Sequence, residues 1–281
     1  MHSGDIQTPD DLKPGNAARL HWRHAAGVRQ PRVLLYLHGF TASPGEAGAF
    51  PEQMAAALDA NLYVHRWPGH GQRAADAMRG LSRAGLQASA EAALQQACAL
   101  GEAVIIVGSS LGATLGLWLA ANHPDAIAAV VAWSPGVQAA DPALLDQACE
   151  GNAPRVDPRP RTPAVQAYWS DAVHPDGFRA LRAIFRANAD NPPWPQVRCP
   201  VFLGYFRSPD GEEDQTASVP AMLAMFAALG TPPAHKRAQA FAAGAHVIGS
   251  PHKTPLAGTV VQASLDFLHA MLPRAAQASA G

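Results

Sequence analysis

Ala103-Val104-Ile105-Ile106-Val107-Gly108-Ser109-Ser110-Leu111-Gly112-Ala113 is the stretch on which the fold is decided. Five apolar residues run straight into a G-x-S-x-G, and a run rich in alanine and leucine continues behind it to Ala121. A short unbroken apolar run bounded by glycine reads as a strand buried on both faces. The segment behind it reads as a helix. G-x-S-x-G at such a junction is the mark of a strand turning sharply into a helix, with the serine hydroxyl thrust outward. That turn crowds the residues beside the serine, and Gly108, Gly112 and Ala113 supply the room. Ser110 is therefore the candidate nucleophile.

Working outward, further apolar strands are expected at 32–37, 62–66, 127–133 and 200–206, with weaker ones at 17–24 and 237–241. Between them, 45–58 is amphipathic, and 86–100 is alanine-rich with helical periodicity. Strand and helix alternate, which predicts an α/β fold: a mostly parallel central sheet with helices on both faces. The pattern breaks between Val137 and Gln196. Prolines recur there, and five aromatics gather: Tyr168, Trp169, Phe178, Phe185 and Trp194. A long aromatic insertion between two sheet strands predicts a helical cap over residues 137–196. The core is then formed by 1–136 and 197–281, and the five aromatics are candidate substrate-binding residues.

The 281 residues suit one large α/β domain with an insertion. Hydrophobic residues make up 48% and charged residues 15%, a globular balance rather than a disordered one. A formal net charge of -1 gives no electrostatic footprint for nucleic acid or for an anionic membrane surface. Cys98, Cys149 and Cys199 are odd in number and far apart, which suits neither a disulfide framework nor a zinc site. No run is long enough to span a membrane. Met1-His2-Ser3-Gly4-Asp5 shows neither a basic nor an apolar leader region, so a cytoplasmic location is expected.

A serine hydroxyl needs a base, an acid to orient that base, and donors for the oxyanion. Behind this kind of elbow the chain order is serine, then Asp or Glu, then histidine. Of the twelve histidines, His123 and His269 fall on expected helices, His174 in the insertion and His235 at the start of a strand. His252 follows Pro251 and is expected at the surface. His246, in the small-residue loop Ala243-Gly244-Ala245-His246 after the last strand, is the candidate base. The acid must come from the loop after 200–206, where Asp210, Glu212, Glu213 and Asp214 crowd. Asp210 sits in the turn Pro209-Asp210-Gly211, which explains it without chemistry. Asp214 stands at the end of the loop and is favoured, with Asp210 the alternative. The oxyanion donors are expected from the N–H groups of Leu111 and of Phe40, in His38-Gly39-Phe40-Thr41. His38 itself precedes the serine and reads as a structural hydrogen-bonder. His65 and His70 lack a third ligand, so no metal is expected.

Together, His38-Gly39-Phe40, Trp67-Pro68-Gly69-His70-Gly71, Gly108-Ser109-Ser110-Leu111-Gly112 and Gly244-Ala245-His246 resemble the α/β-hydrolase superfamily. The nearest likeness is to its capped carboxylesterase and monoacylglycerol-lipase-like branch, of serine aminopeptidase type. The resemblance covers roughly residues 31–272 and implies an α/β-hydrolase fold. It also implies an aspartate followed a few residues on by an apolar residue leading into a helix, which Asp214, Ala217 and Val219 match better than Asp210 does. The chain departs from the pattern in a longer, more acidic acid loop and in its proline-rich insertion. The implied activity is cleavage of carboxylic esters, of short to medium acyl or glycerol type, through an acyl-enzyme and without a cofactor. An aminopeptidase, amidase or thioesterase of the same fold is the alternative, and a non-catalytic binding protein a more distant one. A small-molecule ester is the expected partner.

Overall fold

The apolar runs become strands and the stretches between them helices in the computed structural model, which describes residues 11–272. The segment read for a leader lies outside those residues. In chain order come β1 (Arg19–His21), β2 (Gln30–Leu37), α1 (Phe50–Ala57), β3 (Asn61–Val64), α2 (Arg83–Leu100), β4 (Gly101–Ser109), α3 (Leu111–Asn122) and β5 (Ile127–Trp133). The insertion supplies α4 (Pro142–Ala148), β6 (Arg155–Val156), α5 (Pro163–Tyr168), β7 (Ala172–Val173) and α6 (Pro175–Asp190). The chain then returns through β8 (Val201–Phe206), α7 (Val219–Ala228), β9 (Lys236–Phe241) and α8 (Ala257–Met271).

Among the described residues the main sheet has the strand order β1-β3-β2-β4-β5-β8-β9. β1 is antiparallel to β3, and every other pairing is parallel. Alternate residues of the central strands feed two separate cores, as the twofold side-chain period requires. Val33, Leu35, Val104, Ile106 and Val130 pack with Leu86 and Ala90 of α2 and Leu115 and Leu119 of α3. Leu34, Tyr36, Ile105, Val107 and Val131 pack with Met54 of α1 and Val260 and Phe267 of α8.

This topology locates the site. After β2 the chain moves to β3 on one side, whereas after β4 it works toward β5, β8 and β9 on the other. The loops leaving β2 and β4 therefore diverge and open a crevice at the carboxyl ends of those strands, where ligands bind in open α/β sheets. Residues 38–41 and Ser110 stand on its two sides.

Two details differ from the pattern read in the sequence. The amphipathic stretch 45–58 is helical only from Phe50 to Ala57, because Gly48 takes a left-handed φ of 58° that ends any earlier helical course. In the insertion, several prolines start helices rather than break them. Pro142, Pro163 and Pro175 are the first residues of α4, α5 and α6, where a missing N–H costs nothing. Asp141, Thr162 and His174 cap those helices through their side chains. β6 and β7 pair only with each other, and α6 rests on α2 and α4. No helix among the described residues is long and apolar enough to cross a membrane.

Candidate active site

Ser110 has φ 50° and ψ −115°, a conformation that side chains other than glycine's rarely adopt. The fold holds it there from several sides. Its N–H donates to the Trp133 carbonyl at 2.9 Å, and its own carbonyl accepts the N–H of Thr114 at 3.0 Å. Tight packing adds to the restraint. A Cβ at Gly112 would come within 1.9 Å of the Leu37 carbonyl oxygen, and one at Gly108 within 2.5 Å of the Ala113 nitrogen. The end of β2, the end of β4 and the start of α3 are thus pressed together with backbone against backbone.

His246 reaches this point from the loop after β9, with Nε2 at 2.8 Å from Ser110 Oγ. Its Nδ1 is 2.5 Å from Asp214 Oδ2. The other oxygen of Asp214 accepts the N–H groups of Thr216 at 2.7 Å and Ala217 at 3.2 Å. Burial pushes the Asp214 carboxyl up, but the His246 ring and those two N–H donors outweigh it and hold the carboxyl below its ordinary range. A carboxylate at Nδ1 places the ring proton there and leaves Nε2 as an acceptor facing the serine hydroxyl. The neighbouring acids have other fates. Asp210 and Glu212 are exposed in the turn, and Glu213 is ion-paired with Arg207.

Across the crevice, a Cβ at Gly39 would lie 3.4 Å from Ser110 Cβ, so the backbone of residues 38–41 runs alongside the elbow. Leu111 opens α3, and an N–H in the first turn of a helix has no partner within that helix. The positive end of the α3 dipole points the same way. His38 is fully buried, with Nε2 accepting the Trp67 N–H at 3.2 Å and Nδ1 2.9 Å from the Gly39 carbonyl. Burial holds its ring neutral, well below the usual histidine range. Burial likewise lowers His70 to about 4 and His65 to about 3. The His38 ring packs against His70 and Trp67, and His65 meets Trp67 from another side. Among the described residues no group of three or more His, Cys, Asp or Glu is arranged to hold a metal.

Of the five insertion aromatics, two stand at the Ser110 end. Phe178 meets Phe40 edge to face at 5.4 Å. Phe185 and Ser110 Oγ border the same space over Gly136, at 3.3 and 3.7 Å from a Cβ built there. The other three are engaged elsewhere. Trp194 is buried with Val197, Met225 and Leu229 in the core beneath α3. Trp169 is buried against Ala42 and Val165 under the Lys253 ammonium. Tyr168 stacks on His252 at 5.1 Å, so His252 is half-buried between aromatics rather than a surface residue.

One residue at this site escaped the sequence reading. Glu46 is fully buried, and one carboxyl oxygen accepts both the Gly39 N–H and the Tyr36 hydroxyl at 2.8 Å. The available signal was weak: a lone acid in the small-residue run Ala42-Ser43-Pro44-Gly45-Glu46-Ala47.

Residues 34–262 match the model of the alpha/beta hydrolase family, and the chain belongs to that family. It is thus a hydrolase by class. No curated protein matches it in sequence. Among solved structures it superposes on a metagenome-derived lipolytic enzyme described with LipS and LipT (TM-score 0.76, 19% identity, 92% of this chain and 98% of the other). It also superposes on the monoacylglycerol lipase of Paleococcus ferrophilus (0.69, 16%, 91% and 99%). A third is a soluble variant of Saccharomyces cerevisiae monoglyceride lipase in complex with a substrate analogue (0.64, 13%, 96% and 98%). At these identities the likeness is one of fold.

Proposed function

We propose that this protein is a serine ester hydrolase that works through an acyl-enzyme. Ser110 Oγ attacks the acyl carbonyl while His246 Nε2 takes its proton. Asp214 holds the ring in the correct tautomer and stabilises the imidazolium that forms. The N–H groups of Phe40 and Leu111 stabilise the tetrahedral oxyanion. The intermediate collapses, the alcohol leaves with the proton from His246, and Ser110 keeps the acyl group. Water, deprotonated by His246, then attacks the ester of Ser110 and releases the acid. The scheme uses no metal and no organic cofactor. The single observation that carries it is the hydrogen-bonded line from Ser110 through His246 to the buried Asp214.

Residues 137–196 act as a cap in this reading, with Phe178 and Phe185 as the aromatic wall against which a short to medium acyl chain lies. An aminopeptidase of the same fold would need acids in the cap free to hold a substrate ammonium. Asp171 is instead paired with Lys13 and Asp176 with Arg179, and Asp190, which has no ion pair among the described residues, is a lone exposed acid at the last residue of α6, so ester cleavage is the better fit. The proteins named above as lipases and monoglyceride lipases make carboxylic and glycerol esters the substrates to try first.

The test is a series of p-nitrophenyl esters from acetate to decanoate beside the matching anilides and thioesters. The expected result is turnover of the esters at least about tenfold faster than the others, lost in Ser110→Ala. Preferential anilide cleavage would replace the ester reading with an amidase.

A further inference from the structure

Glu46 is buried among the three segments that the proposed reaction needs. Its carboxyl oxygen Oε1 accepts the Gly39 N–H at 2.8 Å, one residue before Phe40. Its backbone carbonyl accepts the hydroxyl of Ser250, on the loop that leads away from His246, at 2.5 Å. Its second oxygen, Oε2, lies 3.3 Å from the point where a Gly39 Cβ would stand, with Ser110 Cβ at 3.4 Å and the Ser109 carbonyl at 3.6 Å from that same point. A carboxyl thus fills the space between the oxyanion loop and the elbow, with no exposure to solvent.

We infer that Glu46 is a positioning residue for the ester hydrolase reaction, its carboxyl fixing the Gly39–Phe40 turn so that the Phe40 N–H stays aimed at the oxyanion. The inference rests on the serine hydrolase reading given above. The residue acts through Gly39 and Ser109 and does not touch substrate.

The protonation state follows from the surroundings. Burial drives the Glu46 carboxyl up to about 8, against lesser opposing help from the Gly39 N–H, the Tyr36 hydroxyl, Ser109 and Lys253. The groups facing it are Tyr36 from β2, Ser109 from β4 and the Lys253 ammonium beyond Ser250, while Arg19 and Glu52 act on Tyr36 from farther out. Oε2 and Ser109 Oγ are both buried without a hydrogen-bond partner. A proton on Oε2 gives that oxygen a donor to offer Ser109. It also keeps negative charge away from the place where the oxyanion develops. Ionisation would set a second negative charge beneath that oxyanion and oppose it.

The experiment compares wild type, Glu46→Ala, Glu46→Gln and Ser110→Ala on p-nitrophenyl butyrate, from about pH 6 to about pH 9.5, with melting temperatures taken alongside. In Glu46→Ala, kcat should fall roughly 10- to 100-fold with KM moved less than about threefold, the signature of a misaimed oxyanion donor. Glutamine keeps an acceptor for Gly39 and Tyr36 and offers Ser109 a permanent donor, so Glu46→Gln should recover most of that loss. The wild type should lose kcat as pH rises past about 8, and Glu46→Gln should not. If Glu46→Ala does not fold, the alkaline limbs of wild type and Glu46→Gln decide by themselves. Two results would overturn the inference: a folded Glu46→Ala with wild-type kcat, or a Glu46→Gln that keeps the wild-type alkaline limb. An active Ser110→Ala would overturn the hydrolase reading along with it, whereas an inactive Ser110→Ala beside a fully active Glu46→Ala would overturn this inference alone.

Discussion

Around Ser110 the chain is held backbone to backbone: Gly112 leaves no room for a methyl against the Leu37 carbonyl, and the Trp133 carbonyl fixes the serine nitrogen. Residues 137–196 are tied down differently. Ala180, Ile184 and Trp194 anchor them in the core, but several of their ion pairs, such as Arg182 with Asp146 and Arg159 with Asp157, involve half-exposed or exposed side chains, and their two short strands pair only with each other. Exposed pairs of this kind contribute about 0–1 kcal/mol each. The sheet end thus holds Ser110 through packed backbone, whereas much of the insertion is held through side chains. In the proposed reading, reaction type belongs to the first region and substrate choice to the second, a division common when sites sit on a rigid scaffold.

Substitutions that would break this contrast differ in expected size. Ser110→Ala removes the proposed nucleophile, and kcat for ester hydrolysis should drop on the order of 10⁴-fold or more, with circular dichroism and melting temperature little changed. Next comes the proposed acid. Asp214→Asn should lower kcat roughly 10²- to 10⁴-fold, since an amide at that position favours the wrong imidazole tautomer. Asp210→Asn, in an exposed turn that accepts either residue, should cost less than about threefold. If steady-state kinetics gave the opposite order, the acid would move to Asp210 and the buried contacts of Asp214 would be structural.

The third effect is on stability. Glu46 binds its proton more tightly folded, at about 8, than the ordinary value of 4.5 allows once unfolded. A raised carboxyl contributes stability that is complete below the unfolded value and is lost as pH rises through the folded one. Thermal melts should therefore show the wild type losing on the order of a few kcal/mol between about pH 5 and about pH 9, and Glu46→Gln losing clearly less. Parallel curves for the two proteins would mean that the Glu46 carboxyl ionises without cost. The smallest effect belongs to the insertion. Phe185→Ala should leave acetate ester turnover within about threefold and flatten the gain for each added carbon, which in a fitting apolar pocket is worth up to about 0.8 kcal/mol. A chain-length series unchanged by this variant would place the acyl chain away from Phe185.

The strands could be read in the sequence because the central ones are buried on both faces and show as unbroken apolar runs, as 103–107 does. Ser110 was readable for a related reason: its strained turn demands glycines at fixed offsets, and those offsets survive in the letters. His246 and Asp214 could be proposed only from chain order, loop position and the family pattern, yet they meet Ser110 in one hydrogen-bonded line across separate loops. The insertion was the least legible part. Pro142, Pro163 and Pro175 look like breakers and turn out to start helices, because proline suits a first helical turn as well as a loop. Trp194 looked like a pocket aromatic and is a core residue, since a bulky apolar side chain in a loop carries no mark of which way it packs. Glu46 was hidden for the same reason. Only the fold shows that the end of β2 and the elbow close over it.

The central claim is that Ser110 forms the acyl-enzyme with His246 as its base, and the most direct measurement is to locate the adduct. The protein would be treated with a fluorophosphonate, digested, and the labelled peptide sequenced by mass spectrometry, with Ser110→Ala and His246→Ala treated in parallel. The account predicts a single phosphonyl group on Ser110 in the wild type, none in Ser110→Ala, and labelling slowed at least about a hundredfold in His246→Ala. A label on another residue, or wild-type labelling of Ser110→Ala, would contradict it.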